Sequence, residues 1–351
     1  MSLTIEQLSG GLAPAKDLVF PSRPDDPEMR ESVSVWLFDD EGRFAFPRMG
    51  IEAEASSWDD RRVQGNFVFA DGRVLNGAGT GAAHSPIGPD GRPTVLGAGP
   101  ISFRCVEPFR RWTMHWHGPA RDGTVDQQIH GGFGGQGSVE IVLDVEMEMV
   151  TPAWVQENAA GNGEMSEVER ANADAMGIGY RFEHHFLATG TVRIGDETHP
   201  FRGRGTRVHR QSIRSLGGFF GHSWLSAVFP NGDAFGALAY PPREGSGGEY
   251  SYNDAVVYQD GRLVPARIVS APFLRSIVPA GDPIRLELES DFGRTLIEGM
   301  TALSTFRIGN PDIGGLNLQQ GAVRYRWNGE EAYGMLERST HESLTTIGRA
   351  S

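Results

Sequence analysis

One cysteine, Cys105, occurs in 351 residues, so no internal disulfide can form and a zinc site of the cysteine type cannot be assembled. Positive charge is also short: 32 Lys and Arg against 45 Asp and Glu leave a formal net charge of −13. That balance argues against binding DNA or RNA, which calls for a basic face to neutralise phosphates. Nowhere do about eighteen apolar residues follow one another. The start, MSLTIEQLSGGLAPAKDLVF, has no charged segment leading into an apolar run. No membrane span and no nucleic-acid partner are expected, and the expected location is cytoplasmic. The nucleophile elbow G-x-S-x-G, the zinc helix H-E-x-x-H, the P-loop and the kinase motifs are all missing. Cys105, mid-strand in SFRCVEP, reads as a small buried hydrophobe rather than a nucleophile. Any chemistry is expected to be acid–base, with no cofactor.

What the chain does have is glycine, 47 residues of it, without the three-residue period of collagen. Asp71-Gly72, Asp122-Gly123, Asn231-Gly232, Asp260-Gly261 and Asn328-Gly329 stand mostly between runs rich in Val, Phe, Tyr and Trp. Such pairs tolerate the positive φ of tight hairpins. Alternating runs at 32–49, 65–79, 101–118 and 138–150 are read as strands. Residues 157–179 break that rhythm, and Ser166 to Met176 reads as one short helix. From Tyr180 hairpins resume, centred on Gly195-Asp196, Asn231, Asp260, Phe292 and Asn328. The expectation is an all-β protein of antiparallel strands: an extension 1–30, a first β unit 31–156, a linker 157–179 and a second β unit 180–345. Closing each unit into a barrel removes exposed edges.

The segment GRGTRVHRQSIR, residues 203–214, concentrates positive charge on the return strand of the Gly195-Asp196 hairpin. Alternation puts Arg207, His209 and Gln211 on one face and Arg204, Thr206, Val208 and Arg210 on the other. Opposite, in FEHHF, Glu183 and His185 share a face while His184 goes with Phe182 and Phe186. A glutamate among arginines and histidines inside a barrel would form a buried polar network; arginines reaching solvent at a strand end are the plainer alternative. Gly203-Arg204-Gly205 is not a dinucleotide fingerprint, because position 208 is Val and no helix is expected to follow.

In RWTMHWHG, residues 111–118, His115 and His117 share a face with Thr113, and Trp112, Met114 and Trp116 take the other. H-x-H on a strand is a geometry used by metals, but no third ligand follows in GPARDG, and no metal is expected. The Trp and Met face is core or the wall of an apolar ligand site.

The order of these segments resembles the double-lipocalin-like family of carotenoid 1,2-hydratases, AttH-type proteins and Diels-Alderases. The resemblance rests on ESVSVWLFDDEGRFAFPR, VEPFRRWTMHWHG, FEHHFLATGTVRIGDETHPFRGRGTRVHR and HSWLSAVFPNGDAF in that order, across most of residues 30–340. It implies two tandem lipocalin-like barrels. In the hydratases the segment after the paired glycines resembles G-x-G-x-x-D-H-x-x-G, its aspartate implied as the proton donor to an alkene. The matching positions here are Gly203, Gly205, Val208 and His209, so histidine is kept and valine stands where the acid would be. Valine cannot protonate anything.

The expected activity is that of a cofactor-independent hydratase, lyase, isomerase or cyclase working by acid–base chemistry on an apolar, isoprenoid or polycyclic small molecule. Substitute catalytic groups are Glu183, His209 and His184. The expected substrate-binding set is Arg207, Gln211, His185, Trp112, Trp116, His115, His117 and Trp224. A carrier that binds such a molecule unchanged is the alternative.

Overall fold

A computed structural model describes residues 3–132, 137–156, 165–175, 179–213, 219–309 and 315–348. Sixteen strands form two closed rings of eight. The first ring runs through β1 (Met29–Asp39), β2 (Phe44–Glu54), β3 (Asn66–Phe69), β4 (Arg73–Asn76), β5 (Arg111–Thr124), β6 (Ser138–Met149), β7 (Arg181–Ile194) and β8 (Glu197–Ile213). It closes because β1 pairs with both β2 and β8. The second runs through β9 (Gly221–Val228), β10 (Ala234–Pro242), β11 (Tyr250–Gln259), β12 (Arg262–Ser270), β13 (Pro283–Ser290), β14 (Gly293–Ile308), β15 (Leu316–Trp327) and β16 (Glu330–His341). Each ring is antiparallel with neighbours in chain order, so every edge strand finds a partner. The fold is two tandem lipocalin-like barrels.

Turn chemistry accounts for most of the hairpins. Asp71-Gly72, Gly195-Asp196, Asn231-Gly232, Asp260-Gly261 and Asn328-Gly329 all lie between paired strands. Asp122-Gly123 does not turn: it continues along β5, with Gly123 opposite Val74 and Asp122 bound to Arg73 at 2.7 Å. The expected helix is present as Glu167–Ala175. Of the expected linker 157–179, residues 157–164 and 176–178 lie outside the described residues.

The boundary between the β units needs correction. The hairpin β7–β8 was assigned to the second unit from residue 180 onward, but β7 pairs with β6 and β8 with β1. Two further strands are what the first ring needs to close, and the 157–179 segment is an excursion between staves of the same barrel. Its helix reaches the second barrel, where Glu169 bonds Arg267 at 2.5 Å.

Three apolar clusters follow from strand alternation. Val33, Val35, Leu37, Phe67, Trp112, Met114, Trp116 and Phe182 fill the first barrel. Leu225, Phe235, Ala237, Val257, Leu286 and Leu336 fill the second. Trp36, Phe38, Val208, Trp224, Leu238, Tyr240 and Met335 form the seam where the outer faces of the two barrels meet. Gly65 and Gly77 carry no side chain because the Trp116 ring would lie 2.5 and 2.2 Å from a Cβ there.

Candidate active site between the two barrels

The two faces of β8 lead to two different places. Arg207 and His209 face the interior of the first barrel, and both are fully buried. Asp17, in the turn Pro14–Asp17, completes the group: its Oδ1 accepts from Arg207 Nη2 at 2.7 Å and its Oδ2 from the Phe109 amide at 2.5 Å and Trp112 Nε1 at 2.9 Å. Burial raises the Asp17 carboxyl, but the charges of Arg207 and His209 outweigh it and hold it well below the usual carboxylate range. His209 Nε2 lies 3.2 Å from Glu31, which also accepts from Gln211 at 2.8 Å. Burial lowers the His209 pKa, but the carboxylates of Asp17 and Glu31 more than offset it and the net shift is upward. His184 donates from Nε2 to the Leu8 carbonyl at 2.9 Å; burial, then the Arg207 charge, lower its pKa to about 3. This group is a sealed ion network, packed against Trp112 and Phe182.

The other face of β8 opens on a cavity in the seam. Its inner part, about 40 Å³, is lined by Ser32, Ser34, Trp36, Arg48, Glu52, Arg181, Val208, Arg210, His222, Trp224, Leu238, Tyr240 and Glu337. An outer cleft of about 600 Å³ shares Arg48, Glu52, His222 and Glu337 and adds, among others, Arg30, Arg62, Phe219, Phe306, Ile308 and Leu318. Val208 therefore points at the cavity, as an acid at that position would. The ionisable groups of the lining come from both barrels: Arg48, Glu52, Arg181 and Arg210 from the first, His222 and Glu337 from the second.

Bulges aim two of the cleft's walls. Between the pairs Val35–Met49 and Leu37–Phe46, Trp36 faces two residues, Pro47 and Arg48. Arg48 has φ 64°, a left-handed conformation that a non-glycine residue holds at a cost of about 1–3 kcal/mol and that concentrates at functional sites. The bulge turns its guanidinium into the seam. A second register shift between Ala302 and Phe306, with Leu303 at φ 59°, lies next to the Phe306 wall of the outer cleft.

A chain of charges crosses the seam. Arg30 bonds Glu52 at 3.3 Å and Glu54 at 3.1 Å; Arg48 bonds Glu52 at 2.9 Å and Glu337 at 3.1 Å. Glu337 also accepts from Gln320 Nε2 at 2.7 Å and lies 3.3 Å from His222 Nε2. Burial pushes the Glu337 carboxyl up, but the Arg48 charge, His222 and Gln320 outweigh it and bring its pKa to about 2. On the other side of the imidazole, His222 Nδ1 lies 2.6 Å from Ser339 Oγ, its cross-strand partner. A hydroxyl both donates and accepts, so Ser339 can bond His222 in either protonation state.

Aromatic faces complete the enclosure. Trp36 and Trp224 meet edge to face, centroids 4.9 Å apart. Arg48 lies 5.8 Å over Trp36 and Arg181 4.8 Å over Trp224. Trp36 Nε1 is buried without a hydrogen-bond partner among the described residues. Behind this wall, Glu183 accepts from Arg181 at 2.6 Å, Trp224 Nε1 at 3.2 Å and Gln156 at 3.2 Å. Burial raises the Glu183 carboxyl and these three partners pull it back only in part.

The expected site residues are thus divided. His184, Arg207, His209 and Gln211 belong to the network of the first barrel, and Trp112 and Trp116 to its core. His115 and His117 point outward: they lie 2.5 Å from Asp144 and 3.3 Å from Glu140 on the exposed face of β5 and β6. His185 ties the barrels together through Ser226 Oγ at 2.7 Å and the Phe235 carbonyl at 3.0 Å; burial lowers its pKa to about 4. Only Trp224 lines the cavity, with Glu183 directly behind it. Among the described residues no group of three or more His, Cys, Asp and Glu side chains is placed to hold a metal ion.

Two closed eight-stranded barrels with a charged cavity in their seam define a double-lipocalin-like β protein. The chain belongs to the family described as Domain of unknown function (DUF7064), whose pattern matches residues 14–342. No curated protein matches its sequence. A protein of Nitrosomonas europaea described as a candidate AttH has a similar structure, with TM-score 0.55 and 14% identity over 94% of this chain and 100% of that one. Kievitone hydratase from Nectria haematococca is similar with TM-score 0.50 and 10% identity, over 93% and 94% of the two chains. The likeness to the double-lipocalin-like proteins drawn from the sequence is present in the fold.

Proposed function

We propose that the seam cavity is the active site of a hydratase, lyase, isomerase or cyclase that moves a proton without a cofactor, and that His222 is the group that moves it. The observation that carries this reading is the placement of His222. It lines both the inner cavity and the outer cleft, with Nε2 on an ionised Glu337 and Nδ1 on Ser339. A carboxylate beside an imidazole stabilises the imidazolium, a general acid suited to neutral pH.

An imidazolium is too weak an acid for an isolated alkene but suffices as general acid at the oxygen of a conjugated carbonyl, or at the α-carbon of the enolate that addition of water to the β-carbon leaves. The reaction class supported best is therefore addition or loss of water, or a shift of a double bond, next to an oxygen function. Val208 and Leu238 hold an apolar part of the substrate. Under the alternative reading, a carrier, the same walls bind a ligand unchanged; Val208 at the implied acid position is the observation in its favour. Incubation with a hydrophobic metabolite extract in oxygen-18 water separates the two: label in a protein-dependent product marks hydration, an unlabelled isomer marks isomerisation, and a retained, unaltered compound marks a carrier.

A further inference from the structure

The charge pattern of the outer cleft names the kind of molecule that fits it. In the lining, Arg30 and Arg48 are paired with Glu52, Glu54 and Glu337. At the inner end Arg181 is likewise held by Glu183, and Arg210 bonds Ser212. Arg62 stands outside these contacts. It sits on the strand Asp60–Gln64, opposite Glu52 in register, with its side chain exposed at the cleft and no ion pair or hydrogen bond among the described residues. The cleft therefore has engaged arginines at its inner end and, on its outer wall, one with no partner among the described residues. The facing wall, from the second barrel and the segment leading into it, is apolar: Phe219, Phe306, Ile308 and Leu318.

We infer that the cleft takes an amphipathic monocarboxylate, with Arg62 holding the carboxylate, the apolar wall holding the body, and the opposite end directed to His222. The inference rests on the proposed active site for that last step only. Orientation follows from the pairing: at the inner end Arg48 and Arg181 are already taken by Glu52, Glu337 and Glu183, whereas Arg62 offers a guanidinium with no partner among the described residues, able to bind both oxygens. A cleft of about 600 Å³ is in the range of pockets that enclose ligands of this size.

The test is calorimetric binding of decanoate and of its uncharged isostere, methyl decanoate, to the full chain and to Arg62→Gln. Decanoate is expected to bind about five-fold more tightly than the ester, the size of one exposed charge pair, and less so at high salt. Arg62→Gln is expected to abolish the preference without changing affinity for the ester. Ile308→Glu, on the apolar wall, is expected to weaken both. Equal affinity for acid and ester, a preference that survives Arg62→Gln, or no saturable binding of either overturns the inference. His222→Gln is expected to keep the full preference for decanoate. Failure of His222 as the proton-transfer group therefore shows in turnover, and failure of the Arg62 assignment shows in the acid-to-ester ratio.

Discussion

Arg48 of the first barrel and Glu337 of the second form an ion pair of 3.1 Å across the seam, both side chains largely buried. The pair does two things at once: it joins the barrels, and it keeps Glu337 ionised beside His222. Because burial pushes the Glu337 carboxyl up and the Arg48 charge is the largest influence that brings it down, the joint between the barrels and the charge of Glu337 depend on the same guanidinium.

Removing that carboxylate should be costly. Glu337→Gln leaves Arg48 buried with one fewer partner, and breaking a buried pair from one side costs about 3–5 kcal/mol. Denaturant unfolding should show a loss of that order, against less than about half as much for His222→Gln, which removes no obligatory charge. Equal losses would mean that the Arg48–Glu337 contact adds nothing to the seam.

Asp17 should behave in the same way inside the first barrel. In Asp17→Asn the fully buried Arg207 loses its carboxylate, and a loss of about 3–5 kcal/mol is expected. His115→Ala and His117→Ala, on the exposed outer face, should change stability by less than about 0.5 kcal/mol. Urea midpoints of the three variants check both statements.

Stability should fall on mild acidification. His184 and His185 have folded pKa values lowered to about 3 and about 4, below the value near 6.5 of an unfolded histidine. Between pH 6.5 and 4 the unfolded chain binds more protons than the folded one, so stability drops as pH falls through that window. His209, whose folded pKa is raised, acts in the opposite sense: its contribution is present below pH 6.5 and lost as pH rises through its folded value. The slope measured between pH 6.5 and 4 should be shallower in a His185→Gln variant. An unchanged slope there would remove His185 from the account.

Val208 and Val35 test which buried face tolerates an acid. Val208 borders a cavity that also holds Arg181 and Arg210, whereas Val35 lies in the apolar interior of the first barrel. Val208→Asp should cost about 1–3 kcal/mol and Val35→Asp more than about 4. If the two cost the same, position 208 does not face a site able to hold a charge.

Much of this architecture is legible in the sequence because strand alternation is local. The two faces of GRGTRVHR and of FEHHF are as alternation assigns them, and five Gly-containing turns are where the dipeptides put them. What alternation cannot supply is which side of a strand is a barrel's inside. Alternation therefore cannot tell that Arg207 and His209 face the buried interior of the first barrel while Val208, on the other face, borders the seam cavity. Ring closure is equally invisible: β8 of the β7–β8 hairpin pairs with β1, more than 150 residues earlier in the chain. Asp17, Arg48 and Glu337 carry no motif. Arg48 reaches the seam through a bulge, and Glu337 stands in MLERST as one of several charged residues of its strand, with nothing local to single it out.

The central claim is that His222 transfers the proton. The direct measurement is turnover of wild-type, His222→Gln and Glu337→Asp proteins in oxygen-18 water with a hydrophobic metabolite extract, products read by mass spectrometry. The account predicts a protein-dependent product whose rate falls about 100-fold or more in His222→Gln and much less in Glu337→Asp, which keeps the carboxylate. Wild-type turnover in His222→Gln, or a compound retained by all three proteins and never converted, would contradict it.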